Sequence, residues 1–237
     1  MKRVCLLTGA SGLFGRAFLQ RCAGAYDIIA VHHETPIDFA AQDQVFVDPL
    51  QPGDHVPAND HAVHAIRADL RRAGELTRIV EESLAAFGRI DWLVNAAALR
   101  HWSPLPDPAA LESAAAVFDV NVLVPLRLAV EVAHRFWRAD PQDNMARQRN
   151  VVNISSTAGL FVYPDCGQAL YAASKAALNH LTYHMASEFW DLGVRVNAVA
   201  PDTFPGRVST AEVLDAVLAF DKSQQTGAVV PVTGDPA

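Results

Sequence analysis

Short runs of β-branched and other apolar residues recur along this 237-residue chain, and longer stretches of helical periodicity separate them. Seven runs are strand candidates, at residues 4–7, 28–31, 63–66, 90–94, 151–154, 194–199 and 229–232. Helical patterns lie near residues 15–23, 75–87, 109–137, 170–190 and 211–220. Apolar strands that alternate with helices are typical of a parallel sheet covered on both faces. The pattern predicts one α/β domain over residues 1–237, a doubly wound parallel sheet of about seven strands with helices on both faces.

Two polar segments interrupt this alternation. Residues 34–61 carry four prolines among several aspartates and histidines, and we expect an irregular stretch or a small surface excursion there. Residues 140–149 are polar and begin beside a proline, so we expect a loop between the long helix and the fifth strand.

The charge balance and the cysteines exclude several classes of protein. Lys and Arg number 19 against 26 Asp and Glu, a formal charge of −7, and no basic run could follow a phosphate backbone. We therefore expect no nucleic-acid partner. Cys5, Cys22 and Cys166 are widely spaced without a CxxC pair, which argues against a disulfide framework or structural zinc and favours the reducing cytoplasm. No apolar stretch reaches the roughly 20 residues that span a bilayer, so we expect no membrane segment.

A glycine-rich turn joins the first predicted strand to the first helical pattern. It comprises Thr8, Gly9, Ala10, Ser11, Gly12, Leu13, Phe14 and Gly15. Glycines here let the backbone turn tightly, bring its N–H groups near a pyrophosphate and seat the helix against the strand. A plain strand-to-helix turn shares part of this pattern. The strand before it and the helix after it favour a dinucleotide site.

The end of the second predicted strand bears on which dinucleotide binds. An acidic residue there holds a free ribose 2′-OH, whereas basic residues accept a 2′-phosphate. His32 and His33 occupy this position, and Arg16 follows the glycine turn, so we expect NADP(H) in preference to NAD(H). Glu34 lies two residues beyond His32, and a shift of register would favour NAD(H). A solvated strand end is the alternative interpretation of the two histidines.

Tyr171 and Lys175 are four residues apart in a helical stretch, so they share one helix face. A free tyrosine titrates near pH ~10, and an adjacent ammonium together with a cationic nicotinamide lowers that pKa. The pair predicts a proton donor and the lysine that tunes it, although this spacing also occurs on solvated helices. Ser156, just past the fifth strand, would hydrogen-bond a substrate oxygen and stabilise an alkoxide.

Taken in order, these motifs and several others resemble the short-chain dehydrogenase/reductase family, in its compact single-domain branch with a Rossmann-like fold, over nearly the whole chain. The matching positions are residues 8–15, Asp69, Leu70, Asn95, Ala96, Ala97, Asn121, Ser156, Tyr171, Lys175 and residues 197–201. The resemblance implies a nicotinamide-dependent enzyme that moves a hydride to or from a carbonyl carbon. Its catalytic set would be Asn121, Ser156, Tyr171 and Lys175.

The resemblance also implies individual roles. Asp69 would contact the adenine, Asn95 would brace the turn near the ribose, and Lys175 would also grip the nicotinamide ribose. Asn121 would hold, through its backbone, a water that relays protons to Lys175. Without the resemblance, Asn121 is a polar residue in an apolar helix, with a satisfied buried hydrogen bond as an equal alternative. The remaining implied cofactor contacts are Leu70, Ala96, Ala97, Tyr171, Pro201 and Thr203.

The chain departs from the family pattern in the glycine turn and in the catalytic loop. Gly12 gives the turn a spacing typical of the longer epimerase/dehydratase branch, and Ala97 stands where the compact branch usually has glycine. The separation between Ser156 and Tyr171 is longer than expected, which indicates an insertion within residues 161–166. We expect this insertion to line the substrate pocket.

The largest departure follows Pro201, where Asp202 replaces a usual glycine and the last strand is reached quickly. Residues 202–225 therefore form a short substrate-covering segment. We expect an open cleft that suits a bulky or carrier-bound substrate, or a cleft closed by a neighbouring subunit.

Two groups of side chains after strands are candidates for substrate recognition. Arg100, His101 and Trp102 follow the fourth strand, and Phe204 and Arg207 follow the sixth. Because both groups follow carboxyl ends of strands, we expect them to face the site and to recognise an anionic, ring-containing substrate. Ordinary surface-loop residues are the alternative interpretation.

The leading hypothesis is an NADP(H)-dependent ketoreductase or alcohol dehydrogenase for a small-molecule or carrier-bound substrate. A nucleotide-sugar epimerase or dehydratase shares the Tyr and Lys but needs a larger carboxyl-terminal domain, and a non-catalytic cofactor-binding subunit is the third hypothesis. The resemblance implies a homodimer or homotetramer through the helices at 109–137 and 170–190. His180 and His184 lack an obvious third ligand, so we assign no metal.

Overall fold

The computed structural model describes residues 2–37, 45–47, 55–57 and 63–234, and every structural statement concerns these residues. Seven parallel strands form the central sheet in the order β5-β2-β1-β6-β7-β8-β9. The strands are β1 (Arg3–Thr8), β2 (Tyr26–His32), β3 (Val45–Val47), β4 (His55–Pro57), β5 (Val63–Arg67), β6 (Trp92–Asn95), β7 (Asn150–Ile154), β8 (Arg195–Pro201) and β9 (Val229–Val232). All seven predicted strands are present, and the predicted doubly wound α/β fold is confirmed.

Helices cover both faces of the sheet. They are α1 (Leu13–Cys22), α2 (Glu75–Phe87), α3 (Ala109–Glu112), α4 (Ala114–Phe118), α5 (Val124–Arg135), α6 (Pro141–Ala146), α7 (Ala169–Glu188) and α8 (Thr210–Lys222). One core layer packs α2, α5 and α7 on the sheet through residues such as Ile79, Leu128 and Met185. The other packs α1 and α8 through residues such as Phe18 and Val217. Each fully buried side chain of this size contributes about 1.5–3 kcal/mol, so the sheet is a rigid support for its loops.

The single helix predicted over residues 109–137 is wrong. The chain forms α3, α4, a π-helical turn at Asp119–Leu123, and then α5. A π turn inserts one extra residue into the helical spiral, and such turns are frequent at functional sites. Asn121 lies in this turn and is fully buried, with its amide bonded to the loop after β6 and to α7. Hydrophobic periodicity cannot reveal such a turn, because its cause is a tertiary contact.

The loop predicted at residues 140–149 is also wrong, because α6 occupies most of it. The Asp140 carboxylate accepts a hydrogen bond from the Asp143 N–H at 2.9 Å, and Pro141 begins the helix. Asp at the N-cap followed by Pro at the first helical position is a helix-start signal. The sequence therefore contained a helix-start signal, but the polar composition of the segment favoured a loop.

The excursion predicted at residues 34–61 lies largely outside the described residues. Its described part includes β3 and β4, which pair in antiparallel fashion apart from the main sheet. Among the helices of the described residues, none is both long and apolar enough to cross a bilayer.

Candidate active site

A cleft of about 580 Å³ opens where the carboxyl ends of β1, β2, β5, β6 and β7 meet. The sheet order runs outward from β1 in both directions, and ligands of open α/β sheets bind at such a switch point. The predicted site residues that line the cleft are Gly9, Ser11, Gly12, Leu13, Phe14, Gly15, His32, His33, Asp69, Leu70, Ala96, Ala97, Tyr171 and Lys175. Residues separated by more than 160 positions thus meet around one space.

A second cavity of about 220 Å³ adjoins the cleft, and Tyr171 lies on the wall of both. Ser156, Pro201 and Thr203 line this second cavity. The other predicted site residues, Thr8, Arg16, Asn95 and Asn121, are all described, and they line neither space.

The glycine turn is closely packed against the loop after β6. Gly9 has φ +70°, and a Cβ on it would lie 2.8 Å from the Ala97 nitrogen, so a side chain is excluded there. The Thr8 hydroxyl oxygen accepts hydrogen bonds from Ala96 and Ala97 N–H at 3.1 and 3.2 Å. Thr8 therefore acts beneath the cleft, holding the two loops together.

The N-terminus of α1 points its free N–H groups at the cleft. Gly12 caps the helix without a side-chain hydrogen bond, and the first turn carries no acidic residue. Uncapped N–H donors and the positive end of the helix dipole favour a bound anion. The residues present thus fit the pyrophosphate of a dinucleotide.

Basic side chains collect at the far end of the cleft. β2 ends at His32, and Glu34 does not line the cleft, so the strand register favours the histidines at this position. Arg71 also lines the cleft, and its guanidinium donates to both Asp69 carboxylate oxygens at 3.1 and 3.2 Å. This hydrogen bonding holds the pKa of Asp69 below its usual value. Arg71 was not among the predicted residues, although its position two residues after Asp69 was a usable signal.

Tyr171 and Lys175 are both buried on one face of α7, as their spacing predicts. The Lys175 Nζ donates to the Ile154 carbonyl oxygen at 2.8 Å and lies 5.7 Å from the centre of the Tyr171 ring. Tyr171, Ser156 and Arg100 line the second cavity together, and Ser156 and Arg100 both act to lower the pKa of the tyrosine hydroxyl. A tyrosine that shares a cavity with a serine and a cation is well arranged to exchange a proton with a bound oxygen atom.

The two pKa values depart from their ordinary values in opposite directions. Burial raises the pKa of Tyr171, and the contacts with Ser156 and Arg100 act against this rise. Burial, aided by the positive charge of Arg100, lowers the pKa of Lys175 to about 7. The sequence predicted Lys175 together with a cationic nicotinamide as the groups that lower the pKa of Tyr171. In the structure Ser156 and Arg100 act in that direction, and burial outweighs them.

The Asn121 side chain connects the loop after β6 to α7. Its Oδ1 accepts from Leu99 N–H at 2.8 Å, and its Nδ2 donates to the Leu99 carbonyl at 3.0 Å and to Ser174 Oγ at 3.0 Å. Ser174 in turn donates to the Tyr171 carbonyl at 2.7 Å. Asn121 thus holds the Leu99 backbone, directly before Arg100, against α7, the helix that carries Tyr171 and Lys175.

Asn95 lies beneath the cleft, where its Nδ2 donates to the Asn153 side chain at 2.9 Å. Asn153 continues the chain of hydrogen bonds to the Thr182 hydroxyl at 3.0 Å. These bonds tie the ends of β6 and β7 to α7, which supports the floor of the site.

The insertion predicted within residues 161–166 contributes Tyr163 and Cys166 to the second cavity. The Tyr163 hydroxyl donates to Thr157 Oγ1 at 2.9 Å, which fixes this loop to the end of β7. Phe204 lines both spaces, as expected for the segment after β8.

A family model described as short chain dehydrogenase matches residues 3–216. A 3-oxoacyl-[acyl-carrier-protein] reductase of Synechocystis sp. is 31% identical over 201 residues, 84% of this chain and 73% of that protein. A galactitol 2-dehydrogenase of Agrobacterium fabrum is 31% identical over 222 residues, 92% of this chain and 75% of that protein. A solved short chain dehydrogenase of Mycobacterium smegmatis has TM-score 0.77 at 24% identity, covering 100% of this chain and 93% of that chain, and this likeness concerns the fold alone.

Proposed function

The chain belongs to the short-chain dehydrogenase/reductase family, and from that premise we propose that it is an NADP(H)-dependent ketoreductase or alcohol dehydrogenase. The observation that carries the proposal is the position of Tyr171, which lines one cavity with Ser156 and also lines the cleft of the glycine turn with buried Lys175. The relatives named above are a 3-oxoacyl-[acyl-carrier-protein] reductase and a galactitol 2-dehydrogenase, which supports chemistry at a carbon that bears oxygen.

Three side chains divide the chemistry. Ser156 hydrogen-bonds the carbonyl oxygen and orients it toward Tyr171, which gives that oxygen a proton in reduction and removes it in oxidation. Lys175, held by the Ile154 carbonyl, is placed by its pKa of about 7 to exchange a proton near neutral pH. NADP(H), when bound, supplies or accepts the hydride.

The cofactor is proposed to lie along the cleft. The glycine turn and the N-terminus of α1 would hold the pyrophosphate, and Lys175 would hold the nicotinamide ribose. Support for NADP(H) over NAD(H) comes from His32, His33 and Arg71 at the adenine end, where Asp69 is already paired with Arg71. Basic groups of this kind suit a 2′-phosphate. We also propose that the Asn121 backbone holds a water that relays protons to Lys175.

The assembly and location are proposed on separate observations. Val130 on α5 and Tyr183 and Trp190 on or just after α7 are exposed apolar side chains, which supports a homodimer or homotetramer through these helices. The described cysteines are all free, which is consistent with the cytoplasm. The substrate is a small-molecule or carrier-bound carbonyl or alcohol.

The test is substitution of Tyr171 by Phe. We expect kcat with NADPH and a carbonyl panel to fall by about 100- to 10,000-fold, because the proton donor is lost while the ring keeps its packing. Fluorescence titration should give the same Kd for NADPH in both proteins, and a tighter Kd for NADPH than for NADH. Wild-type protein that binds NADPH and reduces no carbonyl would show a cofactor-binding subunit instead.

A further inference from the structure

Arg100 lies at the junction of the two cavities and lines both of them. Its positive charge acts to lower the pKa of Tyr171, which lines the same two cavities, yet Arg100 remains exposed. Within the described residues Arg100 forms no ion pair, in contrast to many of the other arginines, such as Arg71 and Arg149. An arginine at the reacting position therefore has charge and several N–H donors available for a ligand.

The position of Arg100 is fixed by its neighbours. Asn121 holds Leu99 by both backbone polar groups, and Ser103 N–H donates to the Gly167 carbonyl at 2.8 Å on the other side. Between these anchors, the Trp102 ring lies 5.7 Å from the Tyr171 ring, centre to centre. A loop held at both ends presents the guanidinium and the indole as one wall of the second cavity.

The charge on this wall is positive on balance. Asp202 is the other charged residue that the described part of the chain places on the second cavity. Its carboxylate lies 3.7 Å from the Arg207 guanidinium and accepts from Thr203 N–H at 2.7 Å, so it is already partnered. Burial lowers the pKa of Lys175, and repulsion by the positive charge of Arg100 adds to that lowering. An anion would relieve this repulsion.

We propose that Arg100 binds the carboxylate of the substrate, and that the substrate is a 2-oxo or 3-oxo carboxylic acid or the matching hydroxy acid. The inference rests on the proposed function above. Arg100 and Tyr171 line the same cavity, so a substrate whose carbonyl oxygen meets the Tyr171 hydroxyl can place a nearby carboxylate against the guanidinium. A carboxylate one or two carbons from the carbonyl is the shortest arrangement of this kind. The rest of the substrate packs against Trp102, which is 54% exposed.

The reaction is balanced without a further reagent. In reduction the hydride that NADPH would supply from its C4–H bond forms a C–H bond to the carbonyl carbon, the C=O π electrons move to oxygen, and the Tyr171 proton forms the O–H bond. The Tyr171 phenolate then regains a proton from water. The products are a hydroxy acid and NADP⁺, and the carboxylate on Arg100 is unchanged. The anionic product is held by the same contact as the substrate.

This class differs from an acyl thioester, because a 3-oxoacyl group on a carrier has no free carboxylate next to its carbonyl. The experiment therefore compares 2-oxo and 3-oxo acids with their methyl esters, by NADPH oxidation. We expect wild-type kcat/KM to be about 100-fold higher for the preferred acid than for its ester, as for loss of a charge-assisted contact.

The Arg100→Met variant should lose that preference, with kcat/KM for the acid falling about 100-fold further than kcat/KM for the ester and the additional loss mostly in KM. Any loss that acts through the pKa of Tyr171 is shared by both substrates. Arg100→Lys should recover part of the loss, since it keeps the charge without the bidentate geometry. Arg21→Met, which removes an exposed arginine paired with Asp215, is the control and should leave both substrates unchanged. Unaltered NADPH binding shows that each variant is folded.

Two results would overturn the inference and leave the proposed function standing. One is a wild-type enzyme that reduces esters or neutral ketones as well as the acids. The other is an equal loss for acid and ester in Arg100→Met, which would make Arg100 a positioning residue for Tyr171. A wild-type protein that binds NADPH and reduces no carbonyl compound would instead contradict both the proposed function and this inference.

Discussion

Lys175 is a buried amine whose Nζ donates to the Ile154 carbonyl in the described chain. No carboxylate of the described residues forms an ion pair with it, so burial disfavours its charged form and lowers its pKa to about 7. A charge kept at such a position reduces stability, and proteins retain such groups where function needs them. The side chain therefore carries a stability cost that depends on pH.

Substitution of Lys175 by Met should remove this loss of folding free energy. The unfolded chain holds the proton up to the ordinary lysine pKa of 10.5, whereas the folded chain releases it near 7, so wild-type stability rises with pH across this window. We expect Lys175→Met to be more stable than wild type at pH 6 by roughly 2–5 kcal/mol, with the advantage shrinking toward pH 10. Urea unfolding at pH 6, 8 and 10 measures it.

The matched control is Lys222→Met, at the exposed end of α8, whose stability difference from wild type should not follow this pH course. A Lys175→Met difference that stays constant from pH 6 to pH 10 would contradict the lowered pKa.

At the residue scale, the spacing of Tyr171 and Lys175 was enough to predict their common helix face, because helical geometry is local. The catalytic roles stay predictions. Arg100 and Tyr171, which are 71 positions apart, line the same two cavities. The hydrogen bonds of Asn121 to Leu99 hold the loop that carries Arg100, and no local sequence pattern encodes them. The residues were visible in the sequence, and their arrangement was not.

At the scale of elements, strands were easier to predict than helix ends. Central strands such as β6 and β7 are buried along their whole length, so each shows as an apolar run. The stretch from α3 to α5 has a continuous helical pattern, and the π turn that interrupts it contains the buried Asn121. The short strands β3 and β4 have three residues each, which is too short for a pattern of apolar residues to be recognised.

The α6 helix provides the prediction at this scale. Asp140→Ala removes the side chain that caps the Asp143 N–H and should lower the free energy of unfolding by about 1 kcal/mol. Asp140→Ser keeps a capping oxygen and should stay close to wild type. Equal stability of both variants in urea unfolding would mean that water hydrogen-bonds the free N–H groups of α6 as well as the capping side chain does.

At the scale of the whole molecule, the amino and carboxyl ends of the parallel strands form two edges of the sheet with different roles. At the amino edge, Asp221 accepts from the Tyr26 hydroxyl at 2.7 Å and from Asn150 Nδ2 at 3.1 Å, and it lies 3.1 Å from the Arg3 guanidinium. Burial, together with Asp221, raises the pKa of Tyr26. Removal of one member of such a buried network is strongly destabilising, so this edge serves stability. The carboxyl edge carries the cleft and its loops.

The parallel architecture was predictable because buried parallel strands leave a simple apolar signature. The site edge was predictable because ligands of this architecture bind beyond the carboxyl ends of strands. Substrate class was less accessible, since the sequence predicted Arg100 and Trp102 as recognition residues without their place beside Tyr171 on the wall of the second cavity. The proposal of a carboxylate near the carbonyl rests on that placement.

The central claim is that this chain moves a hydride to a carbonyl carbon with Tyr171 as proton donor. The most direct measurement uses NADPH deuterated at both C4 positions, with mass spectrometry of the alcohol formed by wild type and by Tyr171→Phe. We expect one deuterium on the carbinol carbon of the wild-type product, and product at least about 100-fold slower from the variant. Alcohol without deuterium, or equal rates from the two proteins, would contradict the account.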